Sequence, residues 1–415
     1  MSKSPFYRAM DKEGKEDDDK DKDKDIYGYE KRLEDAMRVL AGSRTTERNK
    51  ETIRRFIDHL EVQGVSTGRL AKYAYHLKVI GELLPKGFGF EDCTRKDIER
   101  LVASLRLRGY SPNTFFDYIM VIKRLFKFVR YGNVDRETPF PDEVKWLRKT
   151  IKQNEMKQPE FFSPDEVERM IGAADMLRDK AMISVGFEGG LRASELLLLD
   201  IGDLAFDERG VRVKVRGKTG ERTIRLISSA PLLSRFIETH PFRKDPAAPL
   251  WTSEAPNLKR EGRRLAWSSW DRRLKEIAKK AGINGKRIHN HLLRHGSATQ
   301  AAKFLTDSEL KVFYGWTMGS KMPATYIHLS GQDLDEKLER LHEGRVLEPP
   351  KVEFTPVLCP RCGEKNTPGM KFCGRCGTPL DQGGQAKERA EIESLKMELD
   401  RIKETLEKAL SRPSR

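Results

Sequence analysis

Five short segments occur in a fixed order between residues 190 and 328, and each carries at least one side chain that can donate a hydrogen bond. They are 190–196 (GLRASEL), 217–220 (GKTG), 291–295 (HLLRH), 315–316 (GW) and 326–328 (YIH). If these segments form one site, the fold must bring together residues that lie far apart along the chain. No other feature of the sequence constrains the fold as strongly.

The basic residues of these segments suit the chemistry of a phosphodiester. A guanidinium is planar, permanently charged and able to hold two phosphate oxygens, so Arg192 and Arg294 are candidates to clamp a phosphate and oppose the charge of its transition state. Lys218 lies between two strand-like runs, 211–215 and 223–227, in which apolar residues alternate. The pattern predicts a hairpin with Lys218 at its tip, from which its ammonium group can protonate a leaving oxygen.

The remaining residues supply a candidate nucleophile and its helpers. His291 and Arg294 are three residues apart, so they share one face if this segment is a helix. Tyr326 is a weak nucleophile alone, because with a pKa of about 10 only roughly 0.1% is phenolate at neutral pH. Positive charge or a base must therefore activate it. Each residue alone has an ordinary structural interpretation, but their shared order favours a catalytic one.

The order Arg, Lys, His-x-x-Arg, His or Trp, then Tyr resembles the catalytic domain of the tyrosine recombinase (phage integrase) family. The resemblance covers residues 161–345 well and residues 45–135 only in general pattern. The resemblance implies that Arg192 and Arg294 clamp the phosphate, that Lys218 is the general acid, and that Tyr326 is the nucleophile. It also implies that His291 assists proton transfer at the nucleophile, that Trp316 donates an N–H to the phosphate, and that Glu195 supports the active site. Trp316 falls where most members carry a second histidine, while His295 and His328 match frequent but less diagnostic neighbours.

Composition agrees with a polyanionic partner. The formal net charge is +15 with a pI near 9.4, which favours nucleic acid or an anionic membrane surface. No run of 18 apolar residues occurs and the polar N-terminus lacks a signal-peptide core, so the sequence predicts a cytoplasmic protein without membrane contact.

Helical periodicity dominates the first third of the chain, with apolar stripes that include Ile53, Phe56, Ile57 and Leu60. Pro112 is placed to begin one of these helices, and 163–166 (SPDE) forms a capping box that opens another. We therefore expect a mainly α fold with a small antiparallel β-sheet: a helical bundle, which the resemblance identifies as a core-binding domain that grips a duplex, followed by an α+β catalytic domain.

Changes in composition predict the domain organisation. The predicted segments are a disordered charged tail (1–28), the helical core-binding domain (29–135), a linker (136–160), the catalytic domain (161–345), a linker (346–356), a zinc ribbon (357–380) and a C-terminal helix (385–412). Apolar residues in that last segment recur with 3-4 spacing, which fits a short coiled-coil seam or a helix packed on the body.

Four cysteines form a second pattern, independent of the first. Cys359 and Cys362, and Cys373 and Cys376, make two C-x-x-C pairs that match tetrahedral zinc ligation by four thiolates. Because four thiolates leave no open position, the predicted Zn²⁺ is structural. Cys93 is left over and is expected to be an inert thiol.

These features together predict a site-specific DNA recombinase. By resemblance, Tyr326 forms a 3′-phosphotyrosyl link in double-stranded DNA, neither ATP nor a catalytic metal or other cofactor is needed, and a homo-tetramer acts on two DNA sites, most simply in integration or excision of a mobile element. The alternatives are a type IB-like DNA topoisomerase, a replicon-dimer resolution recombinase, and a DNA-binding protein whose catalytic set is vestigial.

Overall fold

The computed structural model describes residues 25–148, 160–217, 220–253, 262–329 and 352–380, with seven further residues between 393 and 403. These residues are mostly helical and include two small antiparallel sheets, so the predicted fold class is confirmed. They divide into two compact units, one formed by residues 27–148 and the other chiefly by residues from 160 onward.

The first unit is a helical bundle. Its helices are α1 (Tyr29–Ala41), α2 (Glu47–Val62), α3 (Thr67–Leu83), α4 (Arg95–Arg106), α5 (Pro112–Tyr131) and α6 (Asp142–Lys145). The predicted stripe on α2 is buried, with Ile53, Phe56 and Leu60 fully enclosed. Pro112 begins α5 as expected. The preceding Ser111 caps the helix, because its side chain accepts a hydrogen bond from the Thr114 N–H at 3.2 Å.

Two features of this unit differ from the sequence analysis. The sequence predicted no apolar stripe for helix α1. The residues of this helix are mostly polar, and only Ala36 and Leu40 are buried. The first part of the predicted linker 136–160 packs on the helical bundle, since α6 lies within it and Val144 and Leu147 belong to the bundle core. Cys93 is fully buried, and burial raises the pKa of its thiol to about 12, which agrees with an inert group.

The second unit combines helices with a three-stranded sheet. Its helices are α7 (Pro164–Ala173), α8 (Leu177–Glu188), α9 (Ala193–Leu197), α10 (Ala230–Glu238), α11 (Trp267–Lys280), α12 (His291–Ala301), α13 (Asp307–Tyr314) and α14 (Met322–Leu329). The predicted capping box opens α7, where Ser163 and Glu166 each bond the other's backbone N–H and Pro164 is the first helical residue.

The sheet is an antiparallel meander. Its strands are β1 (Leu204–Asp207), β2 (Gly210–Gly217) and β3 (Gly220–Leu226), in the order β1-β2-β3. Strands β2 and β3 form the predicted hairpin, and Gly217 pairs with Gly220 across its end. Lys218 and Thr219, between these glycines, lie outside the described residues.

One carboxylate holds the segment that connects this sheet to α10. Glu188, at the end of α8, accepts hydrogen bonds from the backbone N–H groups of Ile227 (2.6 Å), Ser228 (2.9 Å) and Ser229 (2.7 Å). These are the residues between β3 and α10, so Glu188 sets where the hairpin ends and where the next helix begins.

A third short segment folds around the cysteines. Strands β4 (Val357–Leu358) and β5 (Lys365–Asn366) pair in a two-stranded sheet. The described residues between 393 and 403 are helical, with Leu395, Leu399 and Ile402 exposed, while the rest of the predicted helix 385–412 and all but four residues of the predicted tail 1–28 lie outside the described residues. Among the described helices, none is long and apolar enough to cross a membrane.

We expect Glu188→Gln to destabilise the second unit by about 1–3 kcal/mol, because an amide nitrogen replaces one acceptor oxygen and leaves a partly buried N–H group of Ser228 or Ser229 without a partner. Urea unfolding followed by tryptophan fluorescence measures this, since Trp251, Trp267, Trp270 and Trp316 all lie in that unit. Glu208→Gln is the control, because Glu208 is exposed in the turn between β1 and β2. Equal unfolding midpoints for the two variants would contradict the anchoring role.

Candidate active site

A buried carboxylate lies at the centre of the predicted catalytic residues. Glu195 is on α9, and its side chain has no exposed surface. It accepts hydrogen bonds from the Arg192 side chain at 2.6 Å and from the Arg192 backbone N–H at 2.9 Å. Burial alone would raise the pKa of Glu195, but the hydrogen bonds from Arg222 and Arg192 outweigh it and hold this pKa below its usual value. Glu195 is therefore a paired anion that orients arginines.

Arg294 extends from α12 into the same cluster and is almost completely buried. Its guanidinium donates to the carbonyls of Gly190 and Tyr314, both at 2.7 Å, and lies 3.7 Å from Glu195. Burial, together with the nearby Arg192, lowers the pKa of Arg294 to about 10, so the group remains charged at neutral pH. Its position is thus fixed by backbone acceptors, as a preorganised phosphate clamp requires.

A third arginine in the cluster, Arg222 on β3, was not predicted. It makes a two-point contact with Glu195, with both distances 3.1 Å. The sequence could have indicated it, because residues 222, 224 and 226 occupy every second position of β3 and so lie on one face of the strand. Arg222 pairs with Val215 and Ile224 with Val213, and both valines are buried. An arginine on an otherwise apolar strand face requires a buried acidic partner.

Tyr326 lies on α14 and is 1% exposed. Its hydroxyl is 2.6 Å from Nδ1 of His295, and its ring stacks on Trp316 with a centroid distance of 5.6 Å. Trp316 stacks in turn on Tyr314 at 4.9 Å. The indole of Trp316 is thus held between two tyrosine rings, and the contact at the candidate nucleophile is made by His295.

His291 was expected at the nucleophile on the basis of the resemblance. Its ring is 5.8 Å from that of His295, and its pKa is lowered by burial and by Arg294. The role of His291 in proton transfer stays a prediction. His295 was noted from the sequence only as a frequent neighbour of the family's motif. Its contact with Tyr326 joins residues 31 positions apart, and the periodicity of a helix does not indicate such a partner.

The electrostatics around Tyr326 oppose ionisation in this arrangement. Burial raises the pKa of Tyr326, although Arg294 acts in the opposite direction. Burial, with His291 nearby, lowers the pKa of His295 to about 4. Transfer of the hydroxyl proton to His295 is therefore unfavourable until a bound anion or a change in exposure alters both pKa values.

The second unit thus brings together six of the seven residues predicted for catalysis, namely Arg192, Glu195, His291, Arg294, Trp316 and Tyr326. The seventh, Lys218, lies outside the described residues, as does the side chain of His328. The residue before Lys218 is described. A Cβ atom on Gly217 would lie 2.5 Å from Oε1 of Glu195, so the hairpin approaches the cluster as closely as a glycine allows.

Comparisons with known proteins agree with this geometry. Residues 160–333 match the model of the phage integrase family. The tyrosine recombinase XerC of Natranaerobius thermophilus is 30% identical over 221 residues, which are 51% of this chain and 70% of that protein. The chain belongs to the phage integrase family. It is a tyrosine-type site-specific DNA recombinase.

A second relative supports the same assignment, and a solved structure has a similar fold. The tyrosine recombinase XerA of Pyrococcus horikoshii is 29% identical over 254 residues, covering 60% of this recombinase and 79% of XerA. A crystal structure of the XerH site-specific recombinase, bound to its palindromic difH substrate after cleavage, is similar with a TM-score of 0.54. At 17% identity, and with 74% of this chain and 94% of that chain covered, the XerH likeness concerns the fold.

The recombinase also carries a match to a zinc-ribbon domain at residues 358–380. Its four cysteine sulfurs lie within 4.8 Å of one another, with Cys359 and Cys376 at 3.5 Å and Cys362 and Cys373 at 3.7 Å. Four thiolates around a tetrahedral Zn²⁺, each bond about 2.3 Å, require S···S distances of about 3.8 Å. The sulfur positions therefore fit this metal.

The two halves of the ribbon have the same local geometry. The N–H of Gly363 donates to the Cys359 carbonyl at 2.9 Å, and the N–H of Gly377 donates to the Cys373 carbonyl at 3.0 Å. In the second half, the Arg375 backbone N–H also points at the Cys373 sulfur at 3.4 Å, a contact that favours a thiolate. Each C-x-x-C turn is thus closed by the glycine that follows it.

We expect His295 to remain neutral far below the pH at which an ordinary histidine protonates. Its pKa of about 4 predicts a neutral ring at pH 5, where a histidine with a pKa of about 6.5 is mostly charged. Because the unfolded state then binds a proton that the folded state does not, acidification from about pH 6.5 toward pH 4 should also destabilise this unit.

Nitrogen chemical shifts of a histidine-labelled chain measure the protonation directly, with His295→Asn to assign the signal. Protonation of His295 near pH 6.5 would contradict the burial argument.

Proposed function

We propose that the recombinase breaks and rejoins double-stranded DNA through a covalent 3′-phosphotyrosyl intermediate at Tyr326. The observation that carries this proposal is the contact between Tyr326 and His295 beside the arginines gathered on Glu195. The likeness to a recombinase crystallised with cleaved substrate supports it. The biological setting that we propose is integration or excision of a mobile element. The alternative is replicon-dimer resolution, and sequencing the DNA that flanks the gene for direct repeats distinguishes the two.

The proposed reaction is a transesterification that conserves the number of phosphate ester bonds. The Tyr326 oxygen bonds to phosphorus while its proton passes to His295, and the bond from phosphorus to the 5′-oxygen breaks. Lys218 supplies a proton to that 5′-oxygen, while Arg192 and Arg294 hold the non-bridging oxygens. A 5′-hydroxyl of another strand then reverses the step, so no nucleotide cofactor or catalytic metal enters the scheme.

The burial of Tyr326 gives this scheme a first step before chemistry. Tyr326 is 1% exposed and its ring stacks on Trp316, so its hydroxyl is shielded from a duplex. We infer that DNA binding moves α14 far enough to bring the Tyr326 oxygen in line with the phosphorus. The arriving phosphate also supplies negative charge beside His295, which favours its protonated form and so makes it a better proton acceptor.

The partner that we propose is a duplex held by both units. The helical unit of residues 27–148 would serve as the core-binding domain, and the net charge of +15 favours phosphate contacts. Family resemblance points to four copies acting on two DNA sites.

Tyr326→Phe should bind DNA but form no covalent product, because it lacks the attacking oxygen. Nicked duplexes with a random central segment are incubated with the wild-type chain, and those trapped as detergent-resistant adducts are sequenced to give a substrate. On that substrate, the wild-type chain should remain attached to the 3′ side of the break.

Tyr314→Phe is the matched control, since Tyr314 is the other tyrosine of the cluster and its hydroxyl is bonded to Ser297 at 2.8 Å. That variant should still form the adduct. An adduct formed by Tyr326→Phe would refute the assignment of the nucleophile.

We also propose that Cys359, Cys362, Cys373 and Cys376 bind one structural Zn²⁺ per chain. The metal would stabilise a segment too short for a core of its own, by about 10 kcal/mol. The ribbon contacts the catalytic unit, since the Thr367 hydroxyl donates to the Ser228 carbonyl at 2.7 Å and accepts from the Leu232 N–H at 3.3 Å.

Elemental analysis should find about one zinc per chain, and none in a Cys359→Ser/Cys373→Ser variant. Loss of zinc should lower the thermal midpoint of the catalytic unit, because the Thr367 contacts are lost, yet leave Tyr326-dependent adduct formation in place. Cys93→Ser is the control and should keep its zinc. A zinc-free wild-type chain with a folded ribbon would refute the site.

A further inference from the structure

Among the three arginines around Glu195, Arg222 is the one to which the proposed chemistry assigns no role. Its side chain is 11% exposed, and all three nitrogens of its guanidinium donate to the protein itself. Nε donates to the Phe313 carbonyl at 2.8 Å, and the two terminal nitrogens donate to the two oxygens of Glu195. A guanidinium engaged in this way is poorly placed to grip a DNA phosphate, so its function lies in what it holds.

One element that Arg222 holds is the hairpin. Arg222 is the second residue after Gly220 on β3, and Gly220 pairs with Gly217 at the end of the described hairpin. On the opposite strand, Gly217 lies against Glu195 so closely that a Cβ atom there would be 2.5 Å from Oε1. Both arms of the hairpin therefore meet Glu195, β2 through a glycine backbone and β3 through the Arg222 side chain.

The other element is the end of α13. The Phe313 carbonyl that accepts from Arg222 lies three residues before Trp316, and the intervening Gly315 has a φ of 59°. A Cβ atom on Gly315 would lie 2.9 Å from a terminal nitrogen of Arg222. Arg222 thus fills the space between Glu195 and the segment that leads to Trp316.

Geometry makes Arg222 hard to replace in this position. A planar guanidinium can satisfy both oxygens of Glu195 and a carbonyl from its third nitrogen at once, whereas a lysine ammonium is a single point charge on a flexible stem. The hairpin, the carboxylate and the end of α13 are therefore held in one fixed arrangement by one side chain.

We propose that Arg222 is a positioning residue that holds the facing ends of β2 and β3 against Glu195, and that Lys218, which follows Gly217 in the chain, depends on this anchor to act beside the arginine clamp. This inference rests on the proposed function, in which Lys218 protonates the leaving 5′-oxygen. It predicts that loss of Arg222 acts mainly on leaving-group protonation, although Arg222 itself donates no proton.

The test compares two versions of the selected duplex, one with the ordinary 5′-oxygen at the cleaved phosphate and one with a bridging 5′-sulfur. A thiolate leaves without a proton, so a defect in acid catalysis disappears on the sulfur substrate. Lys218→Ala should lose about 100-fold or more in single-turnover cleavage of the oxygen substrate and little on the sulfur substrate. Arg222→Ala should lose about 10- to 100-fold on oxygen and recover on sulfur in the same way.

Three variants make the outcome decisive. Arg225→Ala is the matched control, because Arg225 lies on the same strand and makes a two-point contact with a different carboxylate, Asp207, at 2.6 and 3.0 Å. It should cleave both substrates at the wild-type rate. Arg222→Lys keeps the charge and should show the same oxygen-specific loss, which also covers the case in which Arg222→Ala does not fold. Arg222→Ala combined with Lys218→Ala should be no slower on oxygen than Lys218→Ala alone.

Equal losses of the Arg222 variants on both substrates, with recovery of Lys218→Ala on sulfur, would overturn the positioning role and leave the proposed function intact. Additive losses in the double variant would overturn it as well. If Lys218→Ala does not recover on sulfur, the assignment of Lys218 as the acid fails, and the inference fails with it.

Discussion

The arrangement of the catalytic unit depends on the ion pairs of one buried carboxylate. Glu195 accepts from Arg192 and Arg222 and lies near Arg294, and it has no exposed surface through which water could replace a lost partner. A buried charge is tolerated only when it is paired. One carboxylate facing three guanidinium groups leaves the cluster with an excess of positive charge. The fold thus requires Glu195 to hold the arginines, and the remaining positive charge suits the phosphodiester that we propose as their ligand.

The proposed nucleophile lies in a different kind of environment. Tyr326 is enclosed by the ring of Trp316, which itself lies on Tyr314, and its hydroxyl contacts a histidine that is held neutral by burial. An apolar surrounding disfavours both the phenolate and the imidazolium that proton transfer would create. The positive cluster and the buried tyrosine are therefore neighbours, since Arg294 lies over the rings of Tyr314 and Trp316, yet burial keeps the Tyr326 hydroxyl protonated.

Sequence patterns predicted those features that depend on neighbours in the chain. Alternation predicted the β2–β3 hairpin, and the SPDE motif predicted the start of α7. Patterns of this kind did not predict Arg222 or the partner of Tyr326, because those contacts join residues 27 and 31 positions apart. Periodicity indicates which face a residue occupies, while the identity of the group opposite is decided by tertiary packing.

The contacts of the ribbon converge on the end of the hairpin. Ser228 lies between β3 and α10, where its N–H donates to Glu188, its carbonyl accepts from Thr367, and its hydroxyl donates to the Phe354 carbonyl. The Phe354 ring also packs edge-on against Phe187 of α8. The proposed metal site at the four cysteines and the end of the β2–β3 hairpin are therefore linked through Ser228. Since Glu188 holds that residue independently of the ribbon, the hairpin keeps an anchor when the ribbon unfolds. A stability change without loss of Tyr326 chemistry is accordingly the result that this arrangement favours.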